Sequence, residues 1–192
     1  MSSNTKIFCD IIRNRSDENR RAIQCFSKLH GVLSPAFSIL RQELDSMIRV
    51  IYLLAVTDLN ERQRMIDSTL RGEKWKIRTN DNKWRVVTDR EMVDLSQYLQ
   101  GWTQSVYKFG CAFIHLSDFH NHLAQNPFDK LLESEKQNIL SHMLYYHGGL
   151  CHDDPDMSEF SSYVPQIFEK IAKNIECYLN ELEHNKTLDE DE

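Results

Sequence analysis

Apolar residues recur at helical spacing through most of the chain. In residues 5–29, Phe8, Ile11, Ile12, Ala22, Ile23, Phe26 and Leu29 fit one face of a first helix. Its middle, RNRSDENRR, is polar and predicts a turn facing water or another charged surface. Gly31 predicts the end of that helix, and Ser34-Pro35 predicts the start of the next. The second helix is expected to reach about Thr57, with Phe37, Leu40, Leu44, Met47, Ile48, Ile51, Leu54 and Ala55 as a continuous buried stripe. NERQRMIDSTLR predicts a short third helix.

The period then changes. Residues 74–88, KWKIRTNDNKWRVVT, alternate around Asn80-Asp81-Asn82, which predicts a two-stranded hairpin with a tight turn. Such a hairpin is marginal alone and must lean on the helices. TDRE, from Thr88 to Glu91, is a capping box that opens a long helical tract ending at Asn126-Pro127, with a break expected near Gly101. SEKQ, from Ser134, predicts another box and a helix to His147, stopped by Gly148-Gly149. CHDDPD reads as loop. The last helix has the clearest stripe: Phe160, Val164, Ile167, Phe168, Ile171, Ile175, Tyr178, Leu179 and Leu182.

The expected fold is all-α: an antiparallel bundle of about four or five main helices with an inserted β-hairpin at about 74–88. One domain covers residues 1–184, and 185–192 form an acidic disordered tail. No internal repeat is visible. Low glycine (6) and proline (4) in 192 residues fit long regular elements.

Charge sharpens the picture. The net charge of −6 argues against a chain that coats duplex nucleic acid with its whole surface. Yet residues 62–90 hold nine Lys/Arg against four Asp/Glu, leaving that segment near +5 and the rest near −11. Within it Trp75, Lys76, Arg78, Lys83, Trp84 and Arg85 interleave cations with indoles, the pattern that grips single-stranded nucleic acid. The alternative is that both tryptophans pack the hairpin onto the bundle. The five cysteines form no CxxC pair and read as reduced cytoplasmic thiols, with Cys25, Cys111 and Cys177 on apolar helical faces. No segment reads as a signal peptide or membrane span.

Candidate chemistry centres on YKFGCAFIHLSDFHNH, residues 107–122. If this stretch is one helix, Lys108 and His115 lie seven apart on one face, Asp118 and His122 continue it, and His120 points elsewhere. His115 then reads as a general acid or base beside a cation. A metal face of His115, Asp118 and His122 is the weaker alternative, and a histidine bonded within the bundle is the plain one. On the second helix Arg41, Asp45 and Arg49 form a charged row at four-residue spacing, either an ion-pair ladder or a source of a phosphate-facing cation. His142, His147 and His152 recur every five residues, about 140° apart on a helix, so they are no single ligand row.

The Tyr-x-x-x-small-x-x-aliphatic-His-x-Ser pattern from Tyr107 to Ser117 resembles the signature helix of HEPN-like proteins. LRQELDSMIRVIYLL, residues 40–54, is similar to their partner helix. That resemblance implies an RNA-acting protein: a metal-independent endoribonuclease of a bacterial defence or toxin-type system, working as a homodimer without cofactor. His115 then matches the motif histidine, with Lys108, Asp45 and Arg49 around it. The family has an arginine shortly before that histidine; here Lys108 is the nearest substitute, and lysine lacks the planar fork that grips phosphate. The departure fits equally a catalytically silent module that binds a partner protein or nucleic acid.

Overall fold

The computed structural model describes residues 2–26, 28–29, 32–79, 81–122, 124–150, 152 and 155–188, apart from the side chains of Asp118, Ser158 and Ser161. The expectations placed on Gly31, Asn80, Cys151, Asp153, Asp154 and the last four residues lie outside the described residues. The fold is all-α with an inserted antiparallel hairpin. Helices α1 (Ser3–Phe26), α2 (Ser34–Ala55) and α3 (Leu59–Leu70) precede strands β1 (Lys76–Arg78) and β2 (Trp84–Val86). Helices α4 (Asp89–Gln100), α5 (Thr103–Ile114), α6 (Glu133–His147), the short α7 (Met157–Ser161) and α8 (Val164–Glu183) follow. Two 3₁₀ turns, Asp118–Asn121 and Pro127–Lys130, bridge α5 and α6.

α2 is the axis of the bundle and packs against α8, α5, α1 and α4. Its sequence explains that position. Leu44, Met47, Ile48, Val50, Ile51, Leu53 and Leu54 are fully buried, so α2 is apolar almost all round rather than along one stripe. Ala55 is exposed because the helix ends there. α8 buries Phe168, Ile171, Ile175, Leu179 and Leu182 against it. The polar middle of α1 faces charge as well as water. Arg13 pairs with Glu176 and Glu183 at 2.9 and 2.7 Å, and Arg20 with Glu169 at 2.7 Å, all on α8.

On the other side of that segment, Ser16 and Asn19 donate to Glu43 of α2, the Asn19 bond being 2.9 Å long. Glu43 is fully buried, and burial pushes its carboxyl above the usual range. Cys25 and Cys177 lie exposed, not on buried faces; Cys111 is half-buried. Among the described cysteines Cys9 is the deeply buried one, its thiol pushed up to about 12 by burial and the nearby Glu183 carboxylate.

Local rules account for several boundaries. Thr88 and Glu91 form the expected capping box, with Glu91 N–H donating to Thr88 Oγ1 at 3.3 Å and Thr88 N–H to Glu91 Oε2 at 2.8 Å. Gly101 ends α4 in the left-handed region at φ 75°, splitting the long tract. At α6 the start lies two residues earlier than the SEKQ spacing predicts. Leu132 is its N-cap, and its N–H donates to Glu135 Oε2 at 3.2 Å.

The hairpin pairs Lys76 with Val86, Ile77 with Arg85 and Arg78 with Trp84. Trp75, just before β1, anchors it to the bundle. Its ring is buried beside Tyr52, with centroids 6.0 Å apart, and its indole N–H donates to Thr69 Oγ1 at 2.7 Å.

Both ends of the described chain come to α3. Ser2 Oγ donates to Gln63 Oε1 at 2.7 Å, and Asn4 donates to Asp67 at 2.9 Å. After α8 the chain returns so that Lys186 C=O accepts from Arg62 Nη1 at 2.7 Å. Leu188 N–H donates to Leu54 C=O at 3.1 Å.

Candidate functional site

α5 stops at Ile114, which changes the geometry of the histidine stretch. His115 is extended (φ −93°, ψ 143°) and exposed. Lys108 and His115 therefore do not share a helical face, and Asp118 and His122 do not continue one. The cause is Ser117. Its hydroxyl donates to Ala112 C=O at 2.7 Å and accepts from Phe119 N–H at 3.3 Å. A serine that bonds back to the last turn and caps the next competes with helix continuation.

Lys108 is ion-paired with Glu135 of α6. The His115 ring has no hydrogen-bond or ion-pair partner among the described residues. His120, expected to point away, instead joins His122 around Phe113, at ring centroid distances of 5.9 and 6.1 Å. His122 Nδ1 is buried without a partner, and burial, with His120 close by, lowers the pKa of the ring. Among the described residues no group of three His, Cys, Asp or Glu side chains could hold a metal ion. Asp118, part of the expected metal face, has its side chain outside that set.

The charged row on α2 forms a closed network. Arg49 Nε lies 3.0 Å from Asp45 Oδ2, and Arg49 Nη2 lies 3.3 Å from Asp89 Oδ1. Arg41 lies 3.7 Å from Asp45 and 3.8 Å from Asp89. Two guanidinium groups thus meet two carboxylates, and no cation is left over for a phosphate. Arg41, only 7% exposed, is the residue that reaches α5, with its guanidinium 4.0 Å from the centre of the Tyr107 ring. Burial opposes its charge, but bonds to Cys111 and Tyr107, with Asp45 nearby, outweigh it and raise its pKa.

Gly110 makes this approach possible. A Cβ there would sit 2.4 Å from Arg41 Cβ. Gly110→Ala is therefore expected to destabilise the protein by about 1 to 2 kcal/mol, overpacking outweighing the helix-propensity gain. A fall in the urea midpoint with an unchanged slope is the expected signature.

The hairpin divides its aromatic residues. Trp75 faces the core, whereas Trp84 is 54% exposed. Arg64 of α3 lies 4.3 Å from the centre of the Trp84 ring, and Arg78 lies 5.7 Å from it. A groove of about 600 Å³ runs between α3 and the hairpin, with Arg64, Arg71, Lys74, Lys76 and Trp84 on its walls. Glu73 is its acid and pairs with Arg71 at 2.8 Å, while Lys74 and Lys76 make no salt bridge among the described residues. Of the expected binding residues, Lys83 pairs with Asp81 at 3.1 Å and Arg85 with Glu91 at 2.6 Å, outside the groove walls.

The sequence reading missed Arg64 and Arg71. The available signal was their seven-residue spacing, which with Ser68 between them puts them on one face of α3.

No described helix is long and apolar enough to cross a membrane. Comparison with protein-family models, characterised proteins and solved structures finds no match to the chain.

Proposed function

We propose that this protein is a helical module that binds single-stranded RNA in the groove between α3 and the hairpin. The observation that carries the reading is Trp84, a 54% exposed indole on the wall of a basic groove, with the guanidinium groups of Arg64 and Arg78 near its ring. A base stacks on such a ring while Lys74 and Lys76, the groove cations without a salt bridge among the described residues, take the backbone phosphates. The acidic balance elsewhere confines binding to this face. The HEPN-like resemblance points to the same class of ligand. Among the described residues no histidine lines the groove, so the reading is of binding without cleavage.

Fluorescence anisotropy with a labelled oligouridine tests it. Trp84→Ala is expected to weaken binding about tenfold or more, the usual effect of losing one stacked base. The logarithm of affinity should fall with the logarithm of salt with a slope of about −1.4, as two phosphate contacts on a single strand give. Equal affinity in the wild type and Trp84→Ala overturns the proposal, as does tighter binding to a duplex. The same reactions in EDTA test the endoribonuclease reading. Intact RNA is expected; cutting by the wild type but not by His115→Ala would reinstate catalysis.

A further inference from the structure

Helix α6 is seated on the bundle by little. Among the described residues Met143 is the one it buries, whereas α8 buries seven. Beneath α6, where it faces α2, α5 and α8, lies a pocket of about 90 Å³ lined by Leu40, Phe109, Met143, Phe160 and Ile167. Side chains that face such a gap have no dispersion partners on that side. The helix and the gap describe one deficit: the apolar underside of α6 meets empty space instead of packed atoms.

The polar side chains around the pocket are turned elsewhere, so its open wall is carbon. Ser105 Oγ donates to Asn138 Oδ1 at 3.5 Å, and His142 Nδ1 donates to Asn138 C=O at 2.7 Å. The Lys170 amine lies over the Tyr146 ring and 5.0 Å from the centre of the Trp102 ring. The Trp102 indole N–H is itself buried. Burial pulls the Lys170 pKa down to about 8, and burial with the charge of Lys170 lowers that of His147. Both shifts are those of cations held against an apolar surround.

We propose that this pocket binds a small neutral hydrocarbon body, which completes the seating of α6 on the bundle. The lining selects the occupant by exclusion. A carboxylate or ammonium entering here would lose its hydration and find no partner. A water would lack the polar partners that hold a buried water in place. An uncharged apolar body loses nothing on entry and gains contacts on every wall. The volume sets its size. A dry apolar cavity of about 150 Å³ takes benzene, so this one takes roughly four carbons, or a xenon atom. None of the groove residues lines the pocket, so the site stands apart from RNA binding.

Methyl NMR of the full chain with labelled methionines tests the proposal, using xenon and dissolved butane as probes and butyrate as the charged counterpart of butane. A saturable shift of the Met143 methyl is expected with at least one neutral probe, and none at Met65 on α3. Butyrate should leave Met143 unmoved at the same concentration. Exchange of the α6 amides should slow at least twofold with the bound probe, because a ligand of the native state opposes local opening. Ile139→Trp, at a half-buried position on the lining, fills the space and should abolish the shift. Lys170→Met should leave butane binding within about twofold of the wild type, since the amine takes no part. The absence of a saturable Met143 shift with both neutral probes overturns the proposal, and so does a butyrate response equal to that of butane. A Met143 shift that grows with protein concentration alone would mean that a second copy fills the pocket, and overturns it too. The butane and butyrate comparison needs only the wild type, so it decides even where a variant fails to fold.

Discussion

Replacing Arg62 with methionine is expected to lower the unfolding free energy by about 3 to 4 kcal/mol. Arg62 is a buried cation whose described partners are all neutral. Its guanidinium donates to Val56 C=O at 2.8 and 3.2 Å, to Leu54 C=O at 3.3 Å and to Lys186 C=O at 2.7 Å. Two of those carbonyls end α2, where the helix interior offers no donors and the macrodipole favours positive charge. Burial lowers the pKa of the group, the cost of holding a charge there. Methionine keeps much of the volume but leaves carbonyls of the α2 terminus and the returning C-terminal segment without their donor. Urea unfolding reads the loss directly. A drop below about 1 kcal/mol would mean that water replaces the guanidinium at all three carbonyls.

Glu43→Ala is the second large effect, about 3 kcal/mol near neutral pH. It strips the shared acceptor from two buried donors, Ser16 and Asn19, and leaves a hole where α1 crosses α2. The wild type also carries a pH signature at this residue. The folded pKa is raised above the usual glutamate value, chiefly by burial. Between the unfolded and folded values the native state holds the proton that the unfolded chain has released. Stability from this group is therefore fullest below the ordinary carboxylate range and declines as pH rises through the folded value. Comparing wild type with Glu43→Gln from acid to neutral pH isolates that slope, which the variant lacks. A difference curve independent of pH would show that Glu43 titrates normally.

What could be read in advance follows the range of the forces involved. α8 was visible because Phe168, Ile171, Ile175 and Leu179 share one face through local periodicity. The Thr88 box and the hairpin register likewise depend on neighbours a few residues apart. The candidate site needed distant partners. Arg49 looked like a spare cation until α4 brought Asp89 to it from forty residues downstream. Trp84 and Trp75 are alike in sequence context, yet α3 sets Arg64 over one while the other enters the core. The end of α5 was the costliest miss. Apolar periodicity runs on through His115, and a single serine hydroxyl bonding back to Ala112 overrides it.

The meeting of the first and last described segments on α3 gives the bundle the topology of a closed ring. Gln63 and Arg62, adjacent on that helix, hold the first and last segments respectively. A short linker would join those segments, and the break could then be moved to the hairpin turn, where Asn82 already sits in the left-handed region at φ 66°. In such a circular permutant α3 would become an interior helix joined covalently to what it now only clasps. The same closure means that anything joined at Ser2 and anything joined at Lys186 begins beside the same helix, α3.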